Sequence, residues 1–132
     1  MIELLVRLQK EKNISMLFIC HDLALIRSFA HQIAVMYLGN IVEVIPGEDV
    51  TEYAVHPYTQ ALLSAIPIPD PHVEAKKERI KMGGEIPSPV DPPKGCRFQN
   101  RCKYATERCR EEEPALRLIG EDHYVACHLE DE

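Results

Sequence analysis

The sequence lacks any apolar run long enough to cross a membrane. Its longest apolar stretch is ISMLFIC, residues 14–20, whereas a transmembrane helix needs roughly 20 residues. The amino terminus, MIELLVRLQKEK, carries charges among its apolar positions and does not resemble a signal peptide. Both absences favour the cytosol, where clustered cysteines bind metals or catalyse reactions more often than they form disulfides.

The chain also lacks a surplus of positive charge. Its 132 residues have a formal net charge of −6, which argues against a general nucleic-acid binder because no excess of cations is available for phosphates. The length corresponds to about one domain. The basic residues are nevertheless clustered near the C-terminus, and that cluster needs its own explanation.

Apolar periodicity over residues 1–47 predicts the C-terminal remnant of an α/β sheet domain, in the order helix, strand, helix, strand, strand. An amphipathic helix precedes ISMLFIC, which is typical of a strand buried on both faces. Asp22 is placed to cap a helix through LALIRSFA. QIAVMYL and IVEVI then predict a hairpin that turns at Gly39–Asn40. These elements leave apolar faces uncovered, so we expect the chain to be truncated at its N-terminus.

Residues 48–93 predict a helical and proline-rich connecting strap. GEDVTEYAV and HPYTQALLSAI are patterned as two short helices, the second with one apolar side. Prolines are dense from Ile66 to Pro93 and favour an extended, polyproline-like backbone. We expect this part to lie over the surface rather than in the core.

Residues 94–132 predict an irregular tail that is stapled by a metal. The tail has too few apolar residues to fold by burial alone. Its four cysteines, spaced C-x5-C-x6-C-x17-C, are Cys96, Cys102, Cys109 and Cys127. Zinc sites usually contain a C-x2–4-C pair, which is absent here, and wider spacing suits a cubane iron–sulfur cluster. Thiolates accept either, so spacing alone leaves zinc and iron–sulfur open, with disulfides less favoured.

Other side chains near the cysteines are given supporting roles. His123 and His128 are expected at the surface or behind the ligands, and Cys20 is expected to be buried on its strand. Basic residues would offset the negative charge of a thiolate-ligated cluster and donate hydrogen bonds to its sulfurs. They are Lys94, Arg97, Arg101, Lys103, Arg108 and Arg110.

His21 stands where ISMLFIC ends, and the carboxyl ends of strands are where open α/β sheets bind ligands. From the residues alone, a hydrogen-bonded histidine at a strand boundary is the favoured interpretation. The string FICHDLALIRSFAHQIAVMYLGNIVE, however, resembles the switch region of ABC-transporter ATPase subunits. That resemblance implies that His21 contacts the γ-phosphate of ATP and orients the attacking water. The family commonly has threonine where Cys20 stands, a change that puts little in doubt.

The remaining parts of such an ATPase site are missing from the sequence. No G-x-x-x-x-G-K-[ST] loop is present to cradle phosphates, and the signature motif and the acidic strand that holds magnesium are also absent. By the family's order they would precede Met1. ATP and magnesium would therefore bind only in the intact parent, and the isolated chain is not expected to hydrolyse ATP.

The C-terminal part resembles the extension of ATPase subunits from oligopeptide and dipeptide importers. HPYTQALLSAIP, GGEIPSPVDPPKGCRFQNRC and the later ACH carry this resemblance. It implies a [4Fe–4S] cluster on the four cysteines, with zinc as the alternative, and a structural role in preference to a redox one. It also implies a second ATPase subunit and membrane permeases as partners, with the protein peripheral on the cytoplasmic face of the membrane.

A different class of function stays open at this point. The alternative is a stand-alone, non-catalytic metal-binding module with an interaction or regulatory role and with Met1 as its true start. A phosphate-binding loop encoded in frame upstream of Met1 would favour the transporter subunit, and a stop codon there would favour the module. A redox enzyme is a third reading, although no residue suggests its substrate.

Overall fold

Four strands form one antiparallel sheet at the centre of the fold. A computed structural model describes residues 1–131. The strands are ordered β1-β2-β4-β3. They are β1 (Gln32–Tyr37), β2 (Asn40–Pro46), β3 (Arg117–Gly120) and β4 (His123–Val125). Because β4 pairs with β2, this small α/β fold joins the predicted α/β remnant to the cysteine tail within one sheet.

The β1–β2 hairpin follows from alternating side chains and a tight turn. Residues of β1 alternate between exposed and buried, as a half-buried strand requires. Leu38 and Gly39 both have positive φ, 46° and 81°, which is the backbone of a two-residue turn that matches strand twist. A bulge between Val35 and Met36 shifts the register, so Glu43 lies opposite Val35 on the buried face.

Short helices surround this sheet. They are α1 (Ile2–Lys12), α2 (Leu23–Ile26), α3 (Val50–Tyr53), α4 (Pro57–Ser64), α5 (Pro71–Lys76) and α6 (Glu107–Glu111), followed by a 3-10 helix (His128–Asp131). The predicted cap of α2 is confirmed, since Asp22 Oδ1 accepts from the Leu25 N–H at 3.1 Å. No helix among residues 1–131 is long and apolar enough to span a membrane.

The core lies on one face of the sheet and draws on the tail. Its buried side chains are Ile33, Val35, Tyr37, Val42, Ile45, Val50 and Phe98. Leu62 and Leu63 of α4 pack against this cluster, so α4 is the packing element that its apolar face predicted. Phe98 comes from the cysteine tail, which therefore contributes to the shared core as well as to the sheet.

The predicted buried strand at ISMLFIC is wrong in this structure. Residues 14–20 belong to no strand or helix, and Leu17 and Ile19 are 90% and 93% exposed. A strand needs a neighbour to complete its hydrogen bonds, and none of the four strands in the described chain lies beside this segment. Cys20, expected to be buried, is exposed as well.

Three smaller expectations also need correction. The helix after Asp22 ends at Ile26 instead of reaching Ala30, and turns follow it. The strap contains α5, whose Asp70 side chain accepts from the His72 N–H at 2.9 Å. An aspartate cap followed by Pro71 is a helix-start signal, so the sequence itself indicates this helix. The tail is more regular than expected, because it contains α6 and the β3–β4 hairpin.

The buried face of β2 gives a test of this packing. Ile45 is fully buried, whereas Ile41 on the same strand is 41% exposed. We expect Ile45→Val to lower the free energy of unfolding by about 1 kcal/mol because it removes a buried methylene. Ile41→Val should change it by less than about 0.5 kcal/mol. Urea unfolding followed by circular dichroism measures both, and equal effects would contradict the assigned faces.

Candidate functional site

Three of the four cysteines lie on a run of turns that leads into α6. Hydrogen bonds from the Gln99 N–H to the Cys96 carbonyl at 3.1 Å and from the Ala105 N–H to the Cys102 carbonyl at 3.3 Å form these turns. Cys109 lies within α6 and is buried. Local backbone bonding therefore places the first three thiols.

Gly95 lets the first and third of these cysteines approach each other. Its φ is +75°, and a Cβ atom there would lie 2.4 Å from the Cys109 carbonyl oxygen, a distance that no side chain tolerates. The adjacent Cys96 N–H donates to that same oxygen at 2.7 Å. Glycine is thus required by both its conformation and the lack of space.

Cys127 reaches the other three through the sheet. Val125 of β4 lies opposite Glu43 of β2, and the next residue, Ala126, donates its N–H to the Val42 carbonyl at 2.9 Å. Cys127 follows directly and is buried. A strand pairing, rather than sequence proximity, brings the distant fourth cysteine to the site.

The structure brings all four thiols into one electrostatic neighbourhood. Burial raises the pKa of Cys96, and the Cys109 and Cys102 thiols raise it further. Burial likewise raises the pKa of Cys127 to about 11, with added contributions from the three other cysteines. All four are free thiols. Like charges at short range disfavour ionisation, so an added cation would relieve their mutual repulsion.

Main-chain N–H groups are directed at three of the sulfurs. Cys96 receives them from Phe98 and Gln99, Cys102 from Tyr104, and Cys127 from Leu129. Each bond favours the thiolate and opposes the effect of burial. In residues 1–131, however, no group of three or more Cys, His, Asp or Glu side chains is arranged to hold a metal ion. The donor set fits a thiolate-ligated group, but no single-ion site is preformed.

The basic residues around the cysteines bond mainly to other partners. Arg97 donates to the Leu38 carbonyl, Arg101 to the Gly83 carbonyl at 3.3 Å, and Arg108 pairs with Glu112 at 3.0 Å. Lys103 lowers the pKa of Cys102. Among the described residues, Lys103 is the only basic side chain whose charge shifts the pKa of Cys96, Cys102 or Cys127. Six basic residues were expected to offset the charge of a cluster. Lys103 is the one of them whose charge acts on a cysteine of the site in the described chain.

His21 lies apart from the cysteines. It follows the exposed segment 14–20, is itself exposed, and is not among the groups that shift the pKa of Cys96, Cys102 or Cys127. Its neighbour Asp22 holds the start of α2. The imidazole is accessible to a ligand.

His56 and Tyr58, to which the sequence assigned no chemistry, help to join α4 to the tail. His56 Nδ1 accepts from the Tyr58 N–H at 3.1 Å and caps α4. The rings of His56 and Tyr58 lie 5.7 and 5.4 Å from that of Phe98. Burial lowers the pKa of His56 to about 4, so its imidazole is neutral at physiological pH and acts as an acceptor.

The pair that sequence reasoning missed is Glu43 with His123. Glu43 is fully buried on β2, and its Oε1 lies 2.7 Å from His123 Nε2. His123 was expected at the surface or behind the ligands, but it is 8% exposed and contacts β2. The sequence does contain a signal for this pair. Glu43 lies two residues before Ile45 in IVEVI, and alternate residues of a strand point to the same face, so a buried Ile45 implies a buried Glu43.

The sequence profile of a known family matches about half of the chain. The family is described as the oligopeptide/dipeptide transporter, C-terminal region, and its match covers residues 42–109. This chain belongs to that family. The matched residues include β2 from Val42 onward, α4 and the first three cysteines of the candidate site.

Curated relatives carry corresponding names. The oligopeptide transport ATP-binding protein AppF of Bacillus subtilis is 44% identical over 97% of this chain and 39% of its own length. OppF of Haemophilus influenzae, an oligopeptide transport ATP-binding protein, is 45% identical over 96% and 38%. The di/tripeptide transport ATP-binding protein DppF of Pseudomonas aeruginosa is 46% identical over 96% and 38%. The chain therefore spans about two fifths of the length of these relatives.

The buried neutral His56 generates a prediction about acid stability. The unfolded chain protonates this residue near pH 6.5, whereas the folded chain does so near pH 4. Stability from His56 is therefore complete above about pH 6.5 and falls as pH is lowered toward 4, by up to about 1.4 kcal/mol per pH unit.

His56→Asn retains a capping acceptor but cannot titrate, so we expect its free energy of unfolding to vary less over this range. Urea unfolding at a series of pH values measures the slope. The matched control is His72→Asn, which changes an exposed histidine of α5 and should keep the wild-type slope. Identical slopes for wild type and His56→Asn would contradict the prediction.

Proposed function

We propose that this chain is the C-terminal part of the ATP-binding subunit of a peptide importer. The observation that carries this proposal is the family match over residues 42–109. That match joins most of β2, the helix α4 and the first three cysteines in one recognised unit. Relatives whose names describe peptide-transport ATP-binding proteins align with nearly the whole chain, which favours this function over a stand-alone metal-binding module.

In this proposal His21 is the switch histidine of the ATPase. Its exposed imidazole, held just before the cap of α2, could donate a ring proton toward the γ-phosphate and orient the attacking water. The phosphate-binding loop and the magnesium ligands would come from other parts of the full subunit. A second ATPase subunit would enclose the ATP from the other side. Closure of the two subunits would then move the permeases that they contact at the inner face of the cell membrane.

We further propose that Cys96, Cys102, Cys109 and Cys127 hold a [4Fe–4S] cluster. Support comes from four free thiols in one neighbourhood and from main-chain N–H groups directed at three of them. The resemblance to the peptide-importer extension, together with the lack of a C-x2–4-C pair in the sequence, favours a multi-iron group over zinc.

The role proposed for the cluster is to staple the tail. All four residues of β3 are exposed, and β4 has only three residues, so this hairpin buries little apolar surface of its own. Cross-linking Cys127 to the segment 96–109 through a cluster would close the tail on the core. Metal binding would release protons from thiols whose pKa burial has raised.

Elemental analysis tests the cluster. After anaerobic purification we expect about four iron and four sulfide per chain, with visible absorption. Cys102→Ser should lose most of the iron because it removes a ligand, whereas Cys20→Ser, at an exposed cysteine outside the site, should retain it. One equivalent of zinc without sulfide would refute the cluster assignment.

Peptide uptake tests the transporter function. In cells that depend on the gene for growth on a peptide, we expect His21→Ala to reduce uptake of labelled peptide to the level of a strain that lacks the gene, because ATP hydrolysis would fail. His72→Ala, at another exposed histidine, should retain uptake at equal protein levels. Unimpaired uptake with His21→Ala would contradict the switch role.

A further inference from the structure

Glu43 is a carboxylate buried in an otherwise apolar part of the sheet. It is 0% exposed, opposite Val35 on β1 and Val125 on β4. Burying a charged side chain is strongly unfavourable unless its oxygens are hydrogen-bonded and its charge is matched. Its partners therefore indicate which parts of the chain must come together for the fold to accept it.

Those partners come from two distant segments. The Val55 N–H donates to Oε1 at 2.9 Å and the His56 N–H donates to Oε2 at 3.2 Å, both just before α4. His123 Nε2, from β4, lies 2.7 Å from Oε1. One carboxylate thus connects β2 to the start of α4 and to the tail.

The position of His123 links this pair to the candidate metal centre. Three residues separate His123 from Cys127, and the sheet holds the chain between them through Val125 and Ala126. β4 is in register with β2 at two residue pairs, so the backbone alone offers few bonds to hold it. The buried hydrogen-bonded contact between Glu43 and His123 adds to them where β4 begins.

We propose that Glu43 and His123 are positioning residues that form a buried latch, which delivers Cys127 to Cys96, Cys102 and Cys109. With the latch closed, the fourth thiol is buried beside the other three. With it open, the three local cysteines keep their own turns and Cys127 leaves the site. The consequence for a cluster rests on the proposed function, but the latch itself belongs to the metal-free chain.

Alkylation of the metal-free, reduced chain tests the latch. The rate at which iodoacetamide modifies each cysteine is followed by peptide mass spectrometry. We expect Glu43→Gln, which keeps the size and removes the charge, to speed modification of Cys127 by about tenfold or more. Cys96, Cys102 and Cys109 should change by less than about threefold, because their turns do not depend on β4.

Matched variants separate the latch from general destabilisation. Glu48→Gln changes an exposed carboxylate just beyond the same hairpin and should leave all rates as in wild type. His123→Ala should expose Cys127 at least as strongly as Glu43→Gln, because it removes the hydrogen bond of the carboxylate to β4 and leaves it with the two N–H groups before α4. His123→Gln supplies an amide N–H near the position of Nε2 and should restore part of the protection. The double variant Glu43→Gln/His123→Ala should accelerate modification by less than the product of the single effects.

Each outcome has a defined meaning. Equal acceleration of all four cysteines, or no acceleration of Cys127, would overturn the latch. If the circular-dichroism spectrum shows that Glu43→Gln is unfolded, the milder variant His123→Gln is used instead. The test is then the rate of Cys127 modification relative to the rates at Cys96, Cys102 and Cys109. Iron and sulfide analysis of the same variants is read separately. Wild type that binds only zinc would refute the cluster and leave the latch standing, whereas a cluster retained fully in Glu43→Gln would overturn the latch's role at the site.

Discussion

The hydrogen bonding of β2 along both of its edges is the interaction on which the rest of the structure depends. β1 occupies one edge and β4 the other, and Glu43 on the same strand accepts bonds from the backbone before α4. The cysteine tail is consequently built into the sheet. Without β2, the strand β1, the helix α4 and the strand that leads to Cys127 would have no common partner. The fold and the candidate site therefore depend on the same strand.

Local signals in the sequence predicted the local parts of this structure. Two short apolar runs joined by a turn signal predicted β1 and β2, and Asp22 was correctly placed as the cap of α2. The grouping of the four cysteines into one metal site stays a prediction, although the other three cysteines do raise the pKa of Cys127. For the strands and the cap, the determining contacts lie within a few residues.

Contacts between residues far apart in the sequence could not be predicted from local sequence patterns. ISMLFIC has the composition of a buried strand, yet composition cannot supply a neighbouring strand. The pairing of β4 with β2 and the Glu43–His123 contact each join residues about 80 positions apart. The pattern of apolar residues along the sequence does not predict either of them. The basic residues show the same limit, because Arg97, Arg101 and Arg108 found carbonyl and carboxylate partners that spacing could not reveal.

The unpaired segment 14–20 has a consequence for how this chain behaves in concentrated solution. ISMLFIC is rich in β-branched, aromatic and other apolar residues, has no charge or proline, and presents Leu17 and Ile19 almost entirely to solvent. Such a segment resembles the short stretches that stack into intermolecular cross-β ladders. Its free main-chain donors and acceptors form a template for another molecule. The same strand-forming character that suits it to the interior of a sheet makes it an aggregation hazard when it lies uncovered.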